Sequence, residues 1–322
     1  MNRPNENLLQ SARGALDAAM STDERVLVLG EDVVGGGPFA LTKGLADTHG
    51  TGRVRNTPIC EGAFTGAAIG YALAGGRPFV DLMFNDFVTA ASDQLFNHGA
   101  KFHFMSGGRY SVPLTVWTIT GAGTRWGAQH SQNLSGWFAQ VPGIKLLAPV
   151  TSAMAAKAVR VALDDPDPVV LLVDRSLLYS RIGLDGDDGS PWEPRVVREG
   201  SDVTVVATGR LVHLCLQAAA SCERSVEVID LQRLAPLDVS LVLRSLEKTS
   251  RLVIAHDEVA GGGMSAMIEA AVYEQGFWLL DGPIRRVTSP HTPVPAAGVL
   301  EDAYMVDAGA VIAGITEAFE GA

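Results

Sequence analysis

Two residues in this chain have the type and setting to do proton chemistry. Glu61 is the one carboxylate in TPICEGAFTGAAIGYALAGG, residues 57–76, a stretch built otherwise from small and apolar residues. Two readings of it stay open. As a first-turn acid it complements the positive end of a helix dipole, an effect of roughly 0.3–1 kcal/mol. Alternatively, Ile59, Cys60, Ala63, Phe64 and Ala67 surround it with apolar groups, and the lost hydration poises it for proton transfer. His130, in GAQHSQN at 127–133, falls in a loop, where a rigid scaffold often presents catalytic groups, although a structural loop histidine reads the same way. Ser131 beside it makes no hydrolase, because sequence neighbours do not form a triad and no G-x-S-x-G elbow occurs. The GGG runs at 35–37 and 261–263 fit neither dinucleotide nor P-loop spacing and read as turns.

The elements that must position these residues alternate. Apolar residues from Leu8 to Met20 recur at helical spacing, and Val26–Leu29 then reads as a buried strand ending at Gly30. The pattern continues with a helix from Glu61, a strand at Phe79–Met83, one long helix over Asp86–Phe104 and a strand at Leu114–Ile119. Beyond the histidine loop follow a strand at Lys145–Ala148, a helix at Ser152–Leu163 and a strand at Pro168–Val173. Continuous apolar strands between helices specify a mainly parallel sheet covered on both faces. The Gly-, Asp- and Pro-rich stretch 181–200 reads as a linker, so 1–180 and 201–322 form two α/β domains. In the second, strands at Val203–Ala207, Val226–Ile229 and Leu252–Ala255 alternate with helices at Leu211–Ala220, Val239–Lys248 and Met264–Glu274.

With 322 residues, 47% of them hydrophobic, the chain is long enough for two cores. It shows neither a signal-peptide pattern nor an apolar run long enough to span a bilayer, so the expected location is cytoplasmic. Its net charge of -11 excludes nucleic acid and anionic membrane as main partners. Cys60, Cys215 and Cys222 match no zinc or disulfide spacing and are expected to be small buried hydrophobes. From Val287 onward the chain carries Glu301, Asp302, Asp307, Glu317 and Glu320, which read as a solvated acidic tail or as a patch that steers a basic partner.

GEDV at 30–33, TPICEGAFTGAAIG at 57–70, RPFVDLMFNDF at 77–87, SDQLFNHGAKFHFMSGG at 92–108, AQHSQN at 128–133 and VEVIDLQRLAPLD at 226–238 together resemble a known family. It is the beta subunit of the thiamine-diphosphate-dependent decarboxylating component of 2-oxo acid dehydrogenase complexes, the pyruvate, branched-chain and acetoin group. The resemblance covers nearly the whole chain in the family's motif order. It implies a transketolase-like pyrimidine-binding domain followed by a transketolase C-terminal-like domain. It also implies that Glu61 bonds the aminopyrimidine of thiamine diphosphate and moves the activating proton, with Glu31, Ile59, Met83 and Phe87 at the cofactor and His130 at the reacting carbon. Met83 and Phe87 serve equally as core filling.

The family's G-D-G and Asn motif for Mg²⁺ and diphosphate is absent from this sequence; GLDGDDG at 183–189 has the wrong order. An alpha subunit supplying that half, in an α₂β₂ heterotetramer, is implied. The acyl or hydroxyalkyl group formed from a 2-oxo acid would pass to a lipoyl acyltransferase, or, in a transferase relative acting on a ketose, to a carrier protein. A non-catalytic scaffold for the alpha subunit is the reading of another class. A potassium site is implied at Ala162, Leu163, Asp165 and Asp167, where Asp-Pro-Asp-Pro also explains itself as a plain turn. Two departures bear on the acyl acceptor: Asp174, Arg175 and Ser176 replace the family's usual L-E-H, and Arg125 and Trp126 stand near the histidine where small residues are more usual.

Overall fold

The computed structural model describes residues 6–184 and 189–320. The middle of GLDGDDG lies outside the described residues.

The first sheet has seven strands. In chain order β1 is Val26–Gly30, β2 Val54–Asn56, β3 Arg77–Phe84, β4 Thr115–Thr120, β5 Lys145–Leu147 and β6 Val169–Asp174. In space the order is β5-β6-β4-β3-β1-β2, every pair parallel. β1, β4 and β6 are buried at every position, as a sheet with helices on both faces requires. On one face the helix Leu8–Thr22 packs on the helix Ser152–Asp164. Asn7 and Gln10 start the first of these with a reciprocal capping box, each side chain accepting the other's backbone N–H. The opposite face is covered by the helix Glu61–Leu73 and the segments after β3.

The second sheet contains β7 (Arg195–Arg198), β8 (Val203–Ala207), β9 (Val226–Asp230), β11 (Leu252–Val259) and β12 (Arg285–Ser289). Its order is β12-β11-β8-β9-β7, parallel except for the β7–β9 pair. The intervening β10 (Arg233–Ala235) leaves its own domain and pairs antiparallel with β5, extending the first sheet to seven strands. The two domains are therefore joined by shared backbone hydrogen bonds as well as by packing.

Three expectations are corrected. The segment 181–200 is not all linker, because Arg195–Arg198 is the edge strand of the second sheet. The long helix expected over Asp86–Phe104 is broken into a 3₁₀ turn at Asn85–Phe87, a short helix at Val88–Ser92, a π-helical stretch at Asp93–Gly99 and a last turn at Phe102–Met105. The Ala100 N–H bonds the Leu95 carbonyl at 3.0 Å, a five-residue step that widens the helix. Of the cysteines, Cys215 is buried, Cys222 is half-buried and Cys60 is exposed. Cys60 lies beside Ile59 on the surface that carries Glu61.

Candidate active site

Because β1, β2, β3, β4 and β6 run parallel, their carboxyl ends share one edge, and that is where open α/β sheets bind ligands. Glu31 follows β1, the 57–61 segment follows β2, Met83 to Phe87 end β3, the loop with His130 follows β4, and Arg175 follows β6. The topology thus brings both proton-carrying candidates to one rim, although they lie 69 positions apart in the chain.

Glu61 opens its helix with Cys60 at the cap position, whose side chain makes no capping bond. Its expected apolar wrapping is not supplied by this chain: Phe64 is buried, but Cys60, Ala63 and Ala67 are exposed and Ile59 is 74% exposed. Among the described residues no donor reaches the Glu61 or the Glu31 carboxylate. Burial raises the Glu31 pKa above its ordinary value, and the negative charges of Asp32 and Glu61 raise it further. This paired, donor-free rim fits a ligand that brings its own N–H and ring-nitrogen groups, as the aminopyrimidine of thiamine diphosphate does.

The apolar wall is built at the end of β3. Asp81 is fully buried, which pushes its carboxyl up to about 6, while the Met83 N–H donated to its Oδ1 at 3.0 Å pulls the other way. That bond supports Met83 at φ +58°, a left-handed conformation costly for a bulky side chain, where the β3–β4 register also shifts. Met83 and Phe87 are both half-buried at the rim.

His130 sits among aromatic rings. Its imidazole is edge-on to Phe84 at 5.0 Å, to Phe87 at 5.5 Å and to Trp126 at 6.2 Å between ring centres. The Ser131 hydroxyl is buried with no hydrogen-bond partner among the described residues. Below the loop, Asp86 accepts from the Gln132 backbone N–H at 3.2 Å and side chain at 2.9 Å, and Asn85 donates to the Gln132 carbonyl at 2.9 Å. Arg175 donates to the His130 carbonyl and to the Thr124 hydroxyl. Burial lowers its pKa, opposed by the negative charges of Asp86, Asp174 and Glu301.

The sequence marks Arg175 only as a departure from a motif, and does not mark Asp81 or Glu301 as site residues. A charged residue inside or just after a continuous apolar strand, as in RPFVDLMF and VVLLVDR, is the available signal for the first two.

Two further acidic segments carry ion pairs of their own. Asp165 and Asp167 both bind the Lys145 ammonium, at 2.7 and 3.0 Å, and Arg77 donates to the Leu163 carbonyl. The Asp165 and Asp167 carboxylates and the Leu163 carbonyl are thus partnered within the chain, and Ala162 is fully buried. The acidic tail is partly internal: Glu301 is fully buried and bonds Arg125, Asp302 pairs with Arg125, and Asp307 caps a helix through the Ala310 N–H at 2.7 Å. Those three carboxylates are committed within the chain.

Comparison with known proteins agrees with this geometry. Residues 7–180 match the pyrimidine-binding domain of transketolase, and residues 193–311 match the transketolase C-terminal domain. The chain is 43% identical over 310 residues to the Bacillus subtilis (strain 168) acetoin:2,6-dichlorophenolindophenol oxidoreductase subunit beta, covering 90% of each chain. This chain belongs to the transketolase-like family of 2-oxo acid dehydrogenase beta subunits. Another relative, the mitochondrial pyruvate dehydrogenase E1 component subunit beta of Dictyostelium discoideum, is 37% identical over 302 residues, covering 91% of this chain and 85% of that one. A solved structure titled split gene transketolase, inactive beta4 tetramer, superposes with a TM-score of 0.79 over 97% of each chain at 20% identity, a likeness of fold. Within the family, the rim bearing Glu31, Glu61 and His130 belongs to the domain that the pyrimidine-binding model matches.

Proposed function

We propose that this beta subunit works with an alpha subunit, in an α₂β₂ assembly, to oxidise a short 2-oxo acid or acetoin and to pass the resulting acyl group to a lipoyl arm. The observation that carries the proposal is the pair Glu31 and Glu61, donor-free carboxylates at the carboxyl edge of a parallel sheet, flanked by the exposed Ile59. A catalytic carboxylate works best in a dry site, and the water-excluding cover missing from this chain is what an apolar partner face would supply.

Thiamine diphosphate, when bound, supplies the electron sink that lets the bond beside the substrate carbonyl break. Glu61 would hold its aminopyrimidine and carry the activating proton, on the same rim as Glu31, whose carboxyl its charge raises. Phe87, Met83 and Ile59 would shape the ring's apolar bed. His130 would orient the acyl group or the incoming acceptor, its ring fixed by the three aromatic contacts and its backbone by Arg175. Mg²⁺ and the diphosphate would be held by the alpha subunit, since the sequence lacks the G-D-G and Asn motif.

The test is to co-purify the chain with its alpha subunit, add thiamine diphosphate and Mg²⁺, and follow dichlorophenolindophenol reduction with pyruvate, 2-oxoisovalerate, acetoin and a ketose phosphate in parallel. Glu61→Gln should lower turnover by about a hundredfold or more while the assembly elutes unchanged. Undiminished turnover in that variant contradicts the role given to Glu61.

A further inference from the structure

The loop between β4 and the helix Ser135–Ala139 is fixed from the second domain. Glu301, on the helix Gly298–Tyr304, is fully buried and accepts the Gly123 N–H at 2.8 Å, the Arg125 N–H at 3.0 Å and the Arg125 guanidinium at 2.8 Å. The same guanidinium reaches the Gly298 carbonyl at 2.9 Å and Asp302 at 2.7 Å. These bonds hold Arg125 at φ +64°, a backbone conformation that L side chains rarely adopt. The next residue is Trp126, whose position therefore follows from a contact 176 residues away in sequence.

Trp126 is packed on one side and open on the other. Its indole stacks on Phe39 at 5.9 Å and 25°, and leans on Phe84 at 5.1 Å. The Arg175 guanidinium lies 5.2 Å from both the Trp126 and Phe84 ring centres, two cation–π contacts that stiffen the wall. The free face leaves Trp126 45% exposed, 6.2 Å from the His130 ring. Phe84 and Phe87 also lie against His130, and of these three rings the indole is the exposed one.

Resting on the reaction proposed above, we propose that Trp126 is a specificity-determining residue and Glu301 a positioning residue for it. The indole forms the outer wall of the cleft at His130 and admits a short, unbranched group on the donor carbonyl while rejecting a branched one. Glu301 acts through Gly123 and Arg125, by holding that wall in place. A pocket wall discriminates a methyl branch by roughly 10–200-fold, the size of effect expected here.

The experiment uses the chain assembled with its alpha subunit and measures kcat and KM for pyruvate, acetoin and 2-oxoisovalerate. Trp126→Ala should improve kcat/KM for the branched donor, 2-oxoisovalerate, by about tenfold or more relative to pyruvate, and Trp126→Phe by less. Glu301→Gln should shift the branched-to-unbranched preference in the same direction by about threefold, chiefly through KM, a change that loss of stability alone would not produce. An unchanged preference in the Trp126 variants, with an active wild type, overturns the inference alone. A wild type that turns over none of the three donors overturns the proposed reaction and the inference with it.

Discussion

Glu61 and Asp81 are both carboxylates close to the same rim, and their environments give them different work. Glu61 is half-exposed and has no donor among the described residues, so it is available to a ligand. Asp81 is sealed inside and spent on the Met83 N–H, and it supports the strained turn that sets the apolar wall. Its sequestration has a cost. With the folded-state pKa raised to about 6 from 3.8, the fold holds a proton that the unfolded chain releases. The stability this group contributes is complete below the unfolded value and is lost as pH rises through about 6, a penalty of about 3 kcal/mol at neutral pH. Asp81→Asn keeps the acceptor for Met83 and removes the charge. Urea unfolding should show the variant more stable than the wild type by roughly 1–3 kcal/mol at pH 7, with the difference vanishing near pH 4. The opposite pH trend would show that Asp81 is ionised and satisfied in the fold.

At the scale of elements, the carboxyl edge of the first sheet is accurate only if the helical segments beneath it hold their spacing. Gly143 shows how close that packing is: it lies at φ +100° in the turn before β5, and a Cβ there would stand 2.0 Å from the Ala100 carbonyl, just beyond the π-helical stretch. Gly143→Ala should cost about 3 kcal/mol or more, read as a lower urea midpoint at unchanged slope. A neutral effect would mean that the two segments are free to move apart. This contact also shows where sequence reading stops. Val26–Leu29, Phe79–Met83 and Pro168–Val173 are legible as strands because burial on both faces leaves a continuous apolar run. The strand Val54–Asn56 has one buried residue, Val54, and Arg285–Ser289 is only partly buried, so neither leaves such a run. The segment after β3 reads as one long helix because a π-helical step preserves apolar spacing closely enough to look continuous. Glu61 and His130 stand out by residue type and setting, whereas Arg175 and Glu301 owe their roles to partners 45 and 176 residues away, which no local pattern encodes.

For the whole molecule, the two domains are joined at the site itself. β10 crosses into the first sheet, and Ser135 donates to the buried Glu258 of the second domain at 3.1 Å. The Glu301 contacts fasten the histidine loop. Such a chain offers its partner one preformed face, with Ile59, Cys60, Ala63 and Ala67 exposed around Glu61. On the proposed reading, that face is half of a cofactor site and does nothing until the other half covers it. The direct measurement is calorimetric titration of thiamine diphosphate with Mg²⁺ into the chain alone, the alpha subunit alone and the two together, with turnover assayed on the same samples. The account predicts tight, saturable binding and turnover only in the mixture. Tight binding and full turnover by the chain alone would contradict it.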